Sequence, residues 1–450
     1  MKDLTKGNPL KLIIMFALPV FIGNVFQLLY SLVDTKIVGE TLGDISLAAV
    51  GATNPINTLV VGFLIGITNG FAVVVARYFG AKDFKNLRKS VASSLSLGII
   101  TAVILTFLSV VFLLPLLRLL NTPENVIMQS YDYIKIIFLG MIISMIYNVC
   151  ASMLRAIGDT VTPLIFLIFS AIMNIFLDYL FILNFNLGVQ GAAYATVLSQ
   201  FVSAIMCIIY IIKRYPEFHL KKSDFVFSKD LVRELYKSGC SMGFMMSLVS
   251  LGTVALQGSI NTFGTDIIVA HTAARKITEI FMIMFSVFGT TMATYCGQNL
   301  GAGKIKRIKE GIKIVIFITW CWSLLMIIIT YLFAPKIISF ITGSTNSEVI
   351  YNATLYLKID TLFYFVPAMI SIFRNSMQGI GDHSTPIVSS LIELIGKFVI
   401  AVSLAPAIGY TGIILAEPIV WNLMVIPLII KLKANPVLRE NCDNMINTLN

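Results

Sequence analysis

Charge is the scarcest thing in this chain. Only 12% of its 450 residues are Asp, Glu, Lys or Arg, about half the share usual in soluble domains, while 57% are hydrophobic. That balance excludes a soluble globule. There are three histidines, His219, His271 and His383, each isolated from the others, which excludes a histidine-based metal centre. No HExxH, no Walker loop and no aspartate-rich prenyltransferase pattern occurs, and GAGK at Gly301 lacks both the upstream Gly and the following Ser or Thr of a phosphate cradle. An enzyme, a cofactor and a nucleotide partner are therefore not expected. The six cysteines, Cys150, Cys207, Cys240, Cys296, Cys321 and Cys442, form no CxxC pair and lie mostly inside apolar runs, so they read as small core hydrophobes. A net charge of +10 does not imply nucleic acid, because a basic face for phosphates needs a water-exposed domain that this composition cannot supply.

What is present is a series of apolar stretches near 10–38, 48–76, 90–116, 128–153, 162–183 and 189–212, then, after a polar connection, near 235–262, 267–298, 311–334, 350–377, 386–405 and 411–432. Each is long enough to span a bilayer as a helix, and only helices and closed barrels satisfy the backbone in lipid. The expected fold is an all-α polytopic membrane protein of twelve transmembrane helices. The first apolar run is basic at its start and has no small-residue cleavage site, so it reads as a retained helix. Alternate connections divide the Lys and Arg residues 24 to 3, and the remaining six lie in or at the ends of helices. By the positive-inside rule both termini are cytoplasmic, and the basic rim faces anionic lipid headgroups.

The chain also repeats itself. RYFGAKDFKNLRK from Arg77 is echoed by QNLGAGKIKRIKE from Gln298, YIKI from Tyr133 by YLKI from Tyr356, LRAIGDTVTP from Leu154 by MQGIGDHSTP from Met377, and NLGVQGAA from Asn186 by AIGYTGII from Ala407. Offsets of 221 to 223 in unchanged order indicate duplication. The chain divides into an N-lobe (1–213), a linker (214–234) and a C-lobe (235–450), two six-helix lobes expected to be related by a pseudo-two-fold axis along the membrane normal with substrate between them.

An ionisable group near the centre of a spanning helix costs about 2.5–3.5 kcal/mol on insertion scales, so the few that occur are informative. In the first half these are Asp34 and Asp178. Asn174 precedes Asp178 by four residues and shares its helix face, and Thr196 begins a polar stripe with Ser199, Gln200 and Ser203 on the sixth stretch. On the first, Asn24, Gln27, Ser31 and Asp34 recur at three- and four-residue steps. Two carboxylates, an amide and a hydroxyl suit a hard monovalent cation. The same carboxyls, brought together at low dielectric, can instead hold a proton between them. Pro19 interrupts the backbone ladder of the first helix and introduces a kink or hinge. Tyr133 is either a hydroxyl donor to the acids or an interfacial anchor.

At the repeat offsets Asp34 becomes Ala255, Asn174 becomes Lys397, Asp178 becomes Ala401 and Thr196 becomes Glu417. The second half does not copy the site. Lys397 can pair with Glu393 or Glu417, a fixed internal ion pair with a structural role. Asp360, Glu279, Arg275 and Lys276 remain unplaced.

The six-plus-six repeat, the LPVFIGNVFQLLYSLVDTKIVG segment, the GAKD and GAGK loops and the paired GDxxTP turns together resemble the multidrug and toxic compound extrusion transporters over nearly the whole chain. The resemblance implies a two-lobed exporter that exchanges Na+ or H+ for amphipathic, often cationic, organic compounds. It also implies a cation site at Asp34, Asn174, Asp178 and Thr196. The expectation is a monomer in a bacterial plasma membrane. A flippase of a lipid-linked precursor on the same plan is the alternative, disfavoured because the first-half spans carry acids where a pyrophosphate would need cations.

Overall fold

The computed structural model describes residues 3–343 and 346–439, apart from the side chains of Ala255 and Asn261. Cys442 lies outside them, as does the side chain of Ala255, the second-half counterpart of Asp34. The helices run in the order α1 (Pro9–Leu42), α2 (Asp44–Gly80), α3 (Phe84–Leu119), α4 (Glu124–Leu139), α5 (Met141–Ala156), α6 (Val161–Tyr179), α7 (Val189–Arg214), α8 (Lys229–Ile260), α9 (Thr265–Gly301), α10 (Ile305–Thr342), α11 (Ser347–Leu362), α12 (Phe365–Ile380), α13 (Ser384–Ile408), α14 (Tyr410–Ala434) and the short α15 (Pro436–Arg439). No strand occurs among the described residues. Ten helices are long and apolar enough to cross a bilayer, and the pairs α4–α5 and α11–α12 supply two more spans if each pair is one. The twelve expected spans are thereby accounted for.

Two of them are broken where the sequence suggests single helices, by 48° between α4 and α5 and by 55° between α11 and α12. At the first break a Cβ on Gly140 would stand 2.5 Å from Val197 Cγ2 of α7, so the junction presses on α7 more closely than any side chain allows. At the second, Pro367 cannot hydrogen-bond back to residue 363 and its ring excludes that carbonyl, which ends α11 at Leu362. The fifth span also departs from regularity, since α6 continues into a π turn at Leu180–Asn184. α1 runs uninterrupted through Pro19.

The described chain forms two compact units, Ile14–Ser247 with the residues before Gly7, and Gly7–Ile13 with the chain from Leu248 onward. In the first, the start of α8 lies on α2 through facing glycines. A Cβ on Gly70 would meet Gly239 Cα at 2.5 Å, and one on Gly66 would meet Gly243 Cα at 2.6 Å. Ser238 Oγ donates to the Gly70 carbonyl at 2.8 Å. This is the small-xxx-small packing by which helices associate in lipid, where no hydrophobic force separates chain from solvent.

The repeat seen in the sequence is a repeat of turn chemistry. In both GDxxTP turns the glycine takes a positive φ, +85° at Gly158 and +92° at Gly381, and the aspartate caps the next helix. Asp159 accepts from the Thr162 N–H at 3.1 Å and its hydroxyl at 2.7 Å, and Asp382 accepts from the Thr385 N–H and hydroxyl at the same two distances. GAKD and GAGK likewise place Lys82 at φ +57° and Gly303 at φ +67°.

Candidate functional site

In the first unit three helices converge on Asn174 and Asp178, both fully buried. Their spacing of one helical turn on α6 aims both side chains the same way. The Asn174 amide nitrogen donates to Asp178 Oδ2 at 2.9 Å and to Tyr30 Oη at 2.8 Å, while its oxygen accepts from the Thr196 N–H at 3.0 Å. The reverse orientation would turn the amide oxygen onto the carboxylate, so neighbours fix this one. Thr196 Oγ1 donates to the Ala192 carbonyl at 3.0 Å, keeping a lone pair towards the cluster. Asp34, on α1, stands close enough to Asp178 for the two carboxyls to interact.

The structure thus brings together all four residues proposed from sequence. Tyr133 of α4 is near enough to interact with both acids and packs beside Ile37, Val38, Ile182 and Ala192. Tyr30 was not foreseen, although it lies one turn before Asp34 on the same face of α1. Asn24 and Gln27 make no hydrogen bond to the cluster among the described residues, and Gln27 is exposed. Pro19 lies eleven residues before Tyr30 and takes no part in the contacts.

Two features bear on what the cluster could hold. Asp34 Oδ1 and Asp178 Oδ1 are buried with no hydrogen-bond partner among the described residues, and a buried carboxylate oxygen without a partner is costly. Among the described residues no cationic side chain of the first unit pairs with either acid. A proton or a monovalent metal ion would supply what is missing, with the two carboxylates and the Thr196 hydroxyl as the oxygens that could hold it.

The second unit is built the opposite way. Lys397 Nζ lies 3.0 Å from Glu393 Oε1 and 3.0 Å from Glu417 Oε1. Each glutamate then meets an arginine, Glu393 with Arg374 at 3.4 Å and Glu417 with Arg275 at 3.1 Å. The expected ion pair is therefore the centre of a five-member chain of alternating sign across α9, α12, α13 and α14. Arg374, which also donates to Ser389 Oγ at 3.2 Å, was not foreseen as a member. Asp360 sits near Arg275 and Glu417 and accepts from Thr278 Oγ1 at 3.2 Å. A cavity of about 230 Å³ adjoins the chain, lined by His271, Arg275, Lys276, Glu279, Tyr356 and Glu417 among others. Glu279 and Lys276 are exposed on α9.

Comparison with known proteins agrees with this architecture. The profile of the MatE family matches twice, over residues 19–180 and 242–403, segments 223 residues apart, which is the repeat offset. The probable multidrug resistance protein YoeA of Bacillus subtilis is 29% identical over 389 residues, covering 85% of this chain and 84% of that one. The probable multidrug resistance protein NorM of Thermotoga maritima is 30% identical over 398 residues, covering 85% and 83%. Among solved structures, the outward-facing conformation of a multidrug resistance MATE family transporter of the MOP superfamily superposes with a TM-score of 0.89 at 22% identity, covering 98% of both chains.

Proposed function

Since the chain belongs to the MatE family, a family of multi-pass membrane transporters that includes multidrug efflux proteins, we propose that it exports amphipathic, cationic organic compounds in exchange for Na+ or H+. The single observation that carries this reading is the acid pair Asp34–Asp178, buried inside a spanning bundle, tied to Asn174, Tyr30 and Thr196, and left without a countercharge. Intramembrane carboxyls in such a setting mark ion pathways. Without a nucleotide site the driving force is an ion gradient, and one charge moved through 100 mV supplies about 2.3 kcal/mol. Binding the ion and the substrate in alternation, with a hinge at Pro19 transmitting the occupancy of Asp34, gives alternating access. The protein works as a monomer in the plasma membrane of a bacterium with both termini cytoplasmic, in keeping with the 24-to-3 distribution of Lys and Arg.

The cations Arg275, Arg374 and Lys397 are each engaged by a glutamate. This speaks against the flippase alternative, which needs free cations for a pyrophosphate.

The test is efflux of a fluorescent amphipathic cation from proteoliposomes under an imposed Na+ gradient and, separately, a proton gradient. One of the two should drive export against the concentration gradient. Equilibration under both, with no accumulation, would show a uniporter or channel instead.

A further inference from the structure

Where α7 gives way to the linker, the first unit carries a groove of about 380 Å³. Leu95 of α3, Met153 of α5 and Ile208 and Ile212 of α7 form its walls, and Phe218 and Leu220 of the linker close its end. Apart from His219, the Cys150 thiol and the Met153 thioether the lining is hydrocarbon. The His219 ring is itself occupied, its Nε2 standing 2.6 Å from the Ile212 carbonyl. Ile208 and Ile212 are exposed on the outer face of α7, at 37% and 57%, so the groove opens towards lipid. Ile208 precedes the end of α7 by six residues, about 9 Å at helical rise, which sets the groove at the boundary between acyl chains and headgroups.

The linker is not loose at this point. Tyr215 Oη donates to Asp159 Oδ2 at 2.7 Å, and burial together with that carboxylate holds the phenol far above its ordinary pKa. Arg88 meets Asp224 at 3.5 Å. The groove is therefore preformed. Beside it in the chain Lys213, Arg214, Lys221 and Lys222 are all exposed, against the half-buried Glu217, while Asp159 and Asp224 are taken up by Tyr215 and Arg88. After Ser223 and the buried Asp224, Phe225, Val226 and Phe227 are 42%, 61% and 50% exposed. Three consecutive large apolar side chains in water are unfavourable, whereas beside cationic neighbours they suit the headgroup layer of an anionic leaflet.

We propose that this groove binds one acyl chain of an anionic phospholipid, with its phosphate held by Lys221 and Lys222 and with Phe225–Val226–Phe227 inserted beside it. The proposal rests on the membrane orientation inferred above only for the leaflet that supplies the lipid. Charge complementarity selects an anionic over a zwitterionic lipid, since each Lys near such a surface contributes roughly a fivefold preference.

Native mass spectrometry of the full chain, released from detergent micelles and titrated with phosphatidylglycerol or phosphatidylcholine of identical chains, tests this without transport, so failure of the exporter reading leaves the outcome interpretable. Wild type should retain one phosphatidylglycerol at least tenfold more tightly than phosphatidylcholine. Lys221→Gln with Lys222→Gln should abolish that preference, and Ile208→Trp, which fills the groove, should lose both lipids. If Ile208→Trp does not fold, the lysine pair decides alone, because both side chains are exposed. Equal retention of the two lipids by wild type, or undiminished phosphatidylglycerol binding by the lysine variant, would overturn the proposal.

Discussion

Lys397 Nζ stands 3.0 Å from Glu417 Oε1, and these two residues occupy the repeat positions of Asn174 and Thr196. Where the first half presents an amide and a hydroxyl beside acids without countercharge, the second supplies its own tethered cation. Duplicated halves have thus diverged into an open site and a permanently filled one.

The filled half should be structural. Lys397 is 2% exposed, and truncating one partner of a buried pair costs about 3–5 kcal/mol. Each glutamate keeps an arginine, which puts Lys397→Ala at the low end, about 3 kcal/mol. Melting in detergent should shift down clearly, while the number of ions bound per protein stays that of wild type. Wild-type melting with loss of a bound ion would make the second half a coupling site.

Tyr30→Phe removes a single hydroxyl from the cluster and leaves its packing. The Asn174 amide then loses one acceptor, worth about 1 kcal/mol. Gradient-driven efflux should fall about fivefold with unchanged expression. An unaltered rate would place Tyr30 outside the mechanism.

The two GDxxTP turns offer a paired test of local energetics. Asp382→Ala removes a helix cap, costing about 0.5–2 kcal/mol. Asp159→Ala removes the same cap and also strands the buried Tyr215 hydroxyl, for a further ~1–3 kcal/mol. Thermal melting should therefore rank Asp159→Ala below Asp382→Ala. The reverse order would mean that Tyr215 gains nothing from its bond.

Much of this was legible from residue types. Acids in an apolar span are rare enough to mark Asp34 and Asp178 by residue type, Asn174 follows from its spacing to Asp178, and Thr196 from the family resemblance, while the glycines and aspartates of the repeats announce their turns. Tyr30 was hidden because tyrosine counts as apolar or interfacial, even though its spacing from Asp34 placed it on the same face. Arg374 was hidden for another reason, since its partner Glu393 lies on the next helix, where sequence separation carries no geometric signal. The break at Pro367 has a local cause that a reader of sequence could find. The break at Gly140 does not, because it depends on the approach of Val197 from a distant helix.

Topology gives a direct test of sides. Ser228 is exposed in the linker, so Ser228→Cys should resist an impermeant thiol reagent added to intact cells and react after permeabilisation. Strong labelling from outside would invert the assignment of both termini.

The central claim is that the Asp34–Asp178 pair couples ion to substrate. The measurement that tests it most directly is gradient-driven efflux by proteoliposomes containing Asp34→Asn or Asp178→Asn, each matched to wild type in reconstituted protein. The amide keeps the shape of the carboxyl and removes its charge and its exchangeable proton, so both variants should reconstitute normally and fail to accumulate or expel substrate against a gradient. Full gradient-driven transport by both variants would contradict the account.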